Sequence, residues 1–120
     1  IHFYGDAPAQ KAVAAWAKDD ADYLRWARGL ARESGRPIFI GEFGLASKDD
    51  PARVRAVFAQ LLADMDRAGV DLAAFWVFDL RDQKAWNATL DNDRAWMISL
   101  AAEASRTWNS AAAAHASRAP

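Results

Sequence analysis

Two apolar runs limit most strongly the fold that this chain can adopt. Residues 38–43, IFIGEF, and residues 72–78, LAAFWVF, lack the polar alternation of a strand with one wet face, which is typical of parallel strands covered on both faces. Between them, Asp50 and Pro51 form a helix start, and the apolar stripe that follows ends at Gly69. A strand, a helix and a parallel strand make a βαβ unit, so the sequence predicts an α/β fold.

The same alternation extends toward both ends of the chain. Residues 1–4, IHFY, indicate the end of a strand, and apolar positions at helical spacing predict a helix over 20–34 with Gly35 just past its end. A third helix is expected to start at Asn92 or Asp93. The predicted order is three strands alternating with three helices, followed by the sequence SAAAAHASRAP at 110–120, which we expect to be a disordered tail.

Composition excludes several classes of function. The formal net charge is −1, so the chain has no basic surface for nucleic acid. It has no cysteine, and its two histidines have no carboxylates at ligand spacing, so we expect neither a metal nor a cofactor. There is no apolar run of the roughly 18 residues that a membrane span needs, and no signal-peptide pattern.

Alternation along each strand predicts which side chains share a face. On the middle strand Ile38, Ile40 and Glu42 are expected on one face, with the isoleucines filling an interior and the carboxylate emerging at the rim. The flanking strands each have one face that ends in a polar or amphipathic side chain. These are His2 and Tyr4 on the first strand and Trp76 on the last. Sites in parallel α/β folds lie at the carboxyl ends of the strands, so these groups are predicted to converge there.

Three motifs in this order resemble glycoside hydrolase family 5. HFY at 2–4, IGEFG at 40–44 and AFWVFDL at 74–80 are similar to the sixth, seventh and eighth strands of the TIM (β/α)8 barrel in this cellulase-type family of retaining β-glycosidases. The resemblance implies that residues 1–109 are the C-terminal portion of a TIM-barrel catalytic domain, made of its last three βα units with parallel strands.

The resemblance also implies roles for individual residues. Glu42 corresponds to the catalytic nucleophile, and His2 and Tyr4 line the substrate site with the Tyr4 hydroxyl near that carboxylate. Trp76 corresponds to a platform for the sugar at the cleavage point, and Trp86 in the next loop is a candidate for another sugar subsite. The implied substrate is an oligo- or polysaccharide such as a β-glucan, cellulose or mannan, and the implied location is secreted or periplasmic.

One departure from the family leaves alternatives open. The family's acid/base is a Glu after an Asn on the fourth strand, and this chain contains no Asn-Glu pair. We therefore expect the chain alone to be inactive, and to need the missing N-terminal barrel half or self-association. The alternatives are a noncatalytic carbohydrate-binding remnant that keeps Trp76 and Trp86, a different α/β enzyme with Glu42 as general base, or a Glu42 that merely faces solvent.

Overall fold

The computed structural model of the chain describes residues 2–3, 20–46 and 50–116, with side chains for 21–46 and 50–110. Strands and helices alternate, which confirms the predicted α/β class. The described elements are β1 (His2–Phe3), α1 (Asp20–Ser34), β2 (Phe39–Phe43), α2 (Pro51–Ala68), β3 (Leu72–Phe75) and α3 (Ala95–Ala116).

The three strands form one parallel sheet in the order β1-β2-β3, with β2 in the centre. His2 is aligned with Glu42 across β1 and β2, and Phe39 is aligned with Leu72 across β2 and β3. Because the strands run in the same direction, their carboxyl ends lie along one edge of the sheet. The sequence predicts that the site residues lie at this edge.

Helix α2 begins and ends as its sequence predicts. The Asp50 carboxylate accepts a hydrogen bond from the backbone N–H of Arg53 at 3.0 Å, and Pro51 occupies the first turn. At the other end Gly69 has φ +66°, and its N–H donates to the Asp66 carbonyl at 2.9 Å. This left-handed conformation favours glycine, so the helix ends at the predicted residue.

The helices pack against one face of the sheet, and the core lies between the two layers. Phe58 of α2 is fully buried at its centre. Its ring centroid lies 5.7 to 6.0 Å from three aromatic rings on neighbouring elements: Phe43, Phe75 and Trp96. These contacts connect α2 to β2, β3 and α3, and aromatic pairs at such distances stabilise a core beyond their buried area.

The opposite face of the sheet, which we call the open face, carries Phe39, Leu72 and Ala74. Phe39 is 52% exposed and its neighbour Leu72 is 61% exposed. Large apolar side chains in a sheet are usually covered, so within the described residues this face lacks a packing layer.

A register shift in β2 changes the faces that simple alternation predicts. Three steps along β2 correspond to two steps along β3, since the aligned pairs are Ile40 with Ala73 and Phe43 with Phe75. Such a shift is a β-bulge, in which two residues of one strand oppose one residue of its partner. Gly41 and Glu42 therefore both oppose Ala74, which belongs to the open face.

The bulge corrects the predicted environment of the isoleucines. Ile38 and Ile40 are buried in the core that faces the helices, not on the face of Glu42. The prediction that Ile38, Ile40 and Glu42 share a face was wrong because strict alternation fails where an extra residue enters the strand. Glu42 is thereby turned to the open face.

Two element ends also differ from the sequence-based expectation. β3 ends at Phe75 instead of continuing to residue 78, because the chain turns after Phe75 and Val77 and Asp79 form hydrogen bonds with Ala88 instead. Helix α3 continues to Ala116, so residues 110–116, predicted to belong to a disordered tail, are helical.

Candidate functional site

The candidate site is built around Glu42, on the central strand of the sheet. Its backbone aligns with His2 of β1 on one side, and the chain leaving β3 passes on the other side through Trp76. The Glu42 side chain is half-buried and makes interactions within the structure. A carboxylate here lies one residue before the end of β2, at the edge where α/β proteins place their sites.

Trp76 is held against the end of β2 by a close backbone approach. Its N–H donates to the Phe43 carbonyl at 2.7 Å, which extends the ladder one residue beyond β3. A Cβ added to Gly44 would overlap the Trp76 carbonyl oxygen and lie 3.1 Å from the carbonyl carbon. Glycine at 44 thus allows the two backbones to meet beside Glu42, and the Trp76-Val77 peptide bond is cis.

The indole of Trp76 is half-buried at this position. In β3, Ala74 lies on the open face and Phe75 packs toward the helices, so alternation assigns Trp76 to the open face. Glu42 reaches the same face through the bulge. Alternation therefore predicts that the carboxylate and the indole lie at one end of the open face.

The loop after Trp76 folds back on itself and brings Trp86 toward the same end of the sheet. Ala88 donates its N–H to the Val77 carbonyl at 2.9 Å, and Asp79 donates to the Ala88 carbonyl at 3.1 Å. The N–H of Trp86 donates to the Gln83 carbonyl at 2.8 Å, and its side chain is half-buried. Trp86 therefore lies in the loop attached to the carboxyl end of β3.

Two charged groups of this loop have altered acidity. The Thr89 hydroxyl donates a hydrogen bond to the Asp91 carboxylate, which lowers the pKa of Asp91 below its ordinary value. At the start of α3, burial lowers the pKa of Arg94, and the neighbouring Asp93 partly opposes this effect. The Asn92 side chain accepts from the backbone N–H groups of Thr89 and Arg94, so the loop is tied to the first turn of α3.

Not every predicted site residue is placed by the structure. Tyr4 lies outside the described residues, and for His2 the structure describes the backbone, aligned with Glu42. The role of the Tyr4 hydroxyl beside Glu42 stays a prediction. Within the described residues no group of three or more His, Asp or Glu side chains is placed to hold a metal ion. In the part of the chain that the structure describes, no helix is long and apolar enough to cross a membrane.

The sequence analysis missed the bulge that orients Glu42. The signal for it was Gly41, because a glycine inside a strand often marks a bulge or a close approach of another backbone. Gly44, two residues after Glu42, is a second glycine of this kind, because it allows the close backbone approach of Trp76.

Comparison with known proteins relates the fold of the chain to solved structures. No protein-family profile matches the chain, and no curated protein sequence matches it. Its fold is similar to part of solved endo-β-1,4-mannanase structures, which are TIM barrels, and is consistent with a partial barrel.

The similar structures are specific mannanases that share little sequence with the chain. The endo-β-1,4-mannanase of Thermotoga petrophila superposes with a TM-score of 0.60 at 19% identity, over 91% of this chain and 25% of that enzyme. A hyperthermostable endo-1,4-β-D-mannanase from Thermotoga petrophila RKU-1, solved with maltose and glycerol, gives 0.56 at 20% identity, over 88% and 32% of the two chains. The Rhizomucor miehei endo-1,4-β-mannanase gives 0.54 at 11% identity, over 83% and 29%. The chain therefore spans about a quarter to a third of these enzymes, and the likeness concerns the fold.

Proposed function

We propose that this chain is the nucleophile-bearing part of a retaining β-glycoside hydrolase of family 5 type, acting on a β-1,4-linked mannan or a related glucan. The observation that supports the proposal is the register shift between Ile40 and Phe43 in β2, which takes Glu42 off the face of the buried isoleucines. Bulges next to active sites commonly re-aim a side chain in this way. The similar structures are endo-β-1,4-mannanases, which supports the choice of sugar.

The chemistry assigns Glu42 one of two carboxyl roles. In retaining hydrolysis one carboxylate attacks the anomeric carbon while a second carboxyl group, about 5 to 5.5 Å away, protonates the departing oxygen and later activates water. Glu42 forms the glycosyl ester. The acid/base comes from residues outside this chain, so the chain alone does not turn over polysaccharide.

Aromatic and polar side chains would hold the sugar around this carboxylate. Trp76 stacks against the sugar at the cleavage point, because an indole presents a flat apolar face to sugar C–H groups. Trp86 offers a further subsite in the adjacent loop. His2 and Tyr4 are proposed to line the substrate site, as the family resemblance implies. The enzyme is secreted or periplasmic, where polymeric substrates are found.

A mechanism-based label tests the role of Glu42. In the longer protein that contains this chain, 2,4-dinitrophenyl 2-deoxy-2-fluoro-β-mannoside should transfer its fluorosugar to the Glu42 carboxylate with release of dinitrophenolate. The fluorine slows hydrolysis of the ester, so peptide mass spectrometry locates it. The dinitrophenolate leaving group needs no protonation, so labelling does not depend on the acid/base.

Matched variants separate the nucleophile from other roles. Glu42→Gln should abolish labelling and lower the rate of mannan hydrolysis by at least about a thousandfold, the scale of losing a covalent nucleophile. Glu33→Gln and Glu103→Gln, on exposed positions of α1 and α3, should leave both unchanged. A label on another carboxylate would contradict the proposal. Saturable oligosaccharide binding without labelling or turnover would instead favour the noncatalytic carbohydrate-binding role.

A further inference from the structure

A second candidate site lies at the opposite edge of the sheet from Glu42. A shallow pocket of about 300 Å³ opens between the C-terminal end of α1 and the segments that lead into β2 and β3. Its charged lining consists of three guanidinium groups and one carboxylate: Arg28, Arg32, Arg36 and Asp71. Ala31, Gly35 and Pro37 complete the lining.

The carboxylate in this pocket is already committed to structural contacts. Asp71 Oδ2 accepts the backbone N–H of Ile38 at 2.8 Å and the Arg28 Nη1 at 3.1 Å. These bonds connect the starts of β2 and β3 to α1. Asp71 therefore orients Arg28 and neutralises one of the three positive charges.

One hydrogen-bond donor of Arg28 has no acceptor among the described residues. Its guanidinium lies over the backbone of Gly69, at the end of α2, and its Nε is buried without a hydrogen-bond partner in the described residues. This Nε has essentially no accessible surface, so the groups of Arg28 that remain for a ligand in the pocket are its terminal nitrogens. Arg28 is thus both fixed and incompletely satisfied.

The other two arginines add charge that the described residues do not balance. Arg32 and Arg36 are exposed, and neither forms an ion pair with a described residue. The helix-end carbonyls nearby are already occupied, because Ala31 accepts from the N–H of Arg36 at 2.9 Å and Arg32 accepts from Gly35 at 3.2 Å. Three cations and one carboxylate leave the pocket with a charge of about +2 at neutral pH.

We propose that this pocket binds a phosphate or sulfate group. Guanidinium forks match tetrahedral oxyanions through paired, charge-assisted hydrogen bonds, and the pocket is large enough to admit such a group with its substituent. The site lies at the amino ends of the strands, so it does not depend on the role of Glu42. The oxyanion arrives either as a free ion or as the ester group of a phosphorylated or sulfated sugar.

Binding of inorganic phosphate to the longer protein that contains this chain tests the proposal, by isothermal titration calorimetry and ³¹P NMR at constant ionic strength set with sodium chloride. We expect saturable binding to one site, because chloride screens charge but does not offer the geometry of an oxyanion. A parallel titration with mannose 6-phosphate, against mannose alone, distinguishes the two sources. If inorganic phosphate and mannose 6-phosphate bind with similar affinity, the free phosphate group is sufficient for recognition. If mannose 6-phosphate binds more tightly, the site recognises a phosphate carried by a sugar.

A charge-matched pair of double variants separates the pocket from general electrostatics. Arg32→Gln with Arg36→Gln should weaken phosphate binding by at least about tenfold, equivalent to about 1.4 kcal/mol. Arg53→Gln with Arg106→Gln removes the same charge from exposed positions of α2 and α3 and should change the affinity less than about twofold. Circular dichroism checks that both variants keep their helices.

Two results would overturn the proposal. The first is the absence of saturable phosphate binding, which would leave the arginines as cations that complement the negative end of the α1 dipole. The second is an equal loss of affinity in both double variants, which would show that phosphate responds only to net charge.

Discussion

Gly44→Ala tests whether the close backbone approach beside Glu42 holds the candidate site together. A Cβ at this position would overlap the Trp76 carbonyl oxygen and lie 3.1 Å from its carbonyl carbon and 3.7 Å from its Cα. All three atoms belong to the backbone, so no side-chain rotation can relieve the overlap. The end of β2 and the chain after β3 must therefore separate.

The cost of this separation has two parts. Overpacking that forces a backbone shift costs about 1 to 3 kcal/mol. The 2.7 Å hydrogen bond from Trp76 N–H to the Phe43 carbonyl, next to the added methyl group, weakens as the strands part, at about 0.5 to 1.5 kcal/mol. The expected loss in the free energy of unfolding is about 2 to 4 kcal/mol, a large fraction of an ordinary domain's stability.

Urea denaturation followed by circular dichroism measures this loss. For a slope of about 2 kcal/mol per M, the unfolding midpoint should fall by about 1 to 2 M. Measurement at several protein concentrations separates unfolding from any change in self-association.

Gly29→Ala is the matched control, because the same methyl group enters open space. Gly29 lies in the interior of α1, and a Cβ there meets no atom within 4 Å. Alanine is favoured over glycine in a helix by about 0.5 to 1 kcal/mol, so this variant should be more stable than the parent. If Gly44→Ala were as stable as the parent, the packing of Trp76 against Gly44 would not be as we describe, and the reasoning would fail.

Two further predictions concern the open face and the loop after β3. Replacing Phe39 and Leu72 together with Ser should lower the average mass of the isolated chain in multi-angle light scattering, because both are exposed apolar residues of the open face. The control Leu90→Ser, at an exposed loop position, should leave the mass unchanged. An unchanged mass in the double variant would count against association through this face. Thr89→Val should raise the pKa of Asp91 in carboxyl-carbon NMR titrations, since the donated hydrogen bond that favours the charged form is lost. A depressed carboxyl pKa contributes stability that is present above the unfolded-state pKa and lost as pH falls, so this variant should show a smaller loss of stability on acidification; an unaltered Asp91 pKa would refute the assignment.

Local chemistry explains the features that could be predicted from the sequence. The helix ends at Asp50 and Gly69 depend on a capping carboxylate and a left-handed backbone, both set by one or two residues. The two apolar runs predicted the parallel strands, but the expected cover on both faces is not seen, since Phe39 and Leu72 on the open face are exposed. The motif resemblance predicted that the chain is part of a TIM barrel, and the similarity to mannanase structures supports this prediction at the level of the fold.

Tertiary structure alone decided which face Glu42 occupies. From the sequence, IFIGEFG placed Glu42 on the face of Ile38 and Ile40, whereas the structure buries the isoleucines against the helices and turns Glu42 away through the bulge. The pairing register is a property of two strands and the helix that packs on them, so no single stretch of sequence contains it. The pairing of Arg28 with Asp71, 43 residues apart, has the same origin. The sequence by itself determined the elements and the carboxylate at the end of the central strand. The pairing register of β2 with β3 decided the face of the sheet to which that carboxylate belongs.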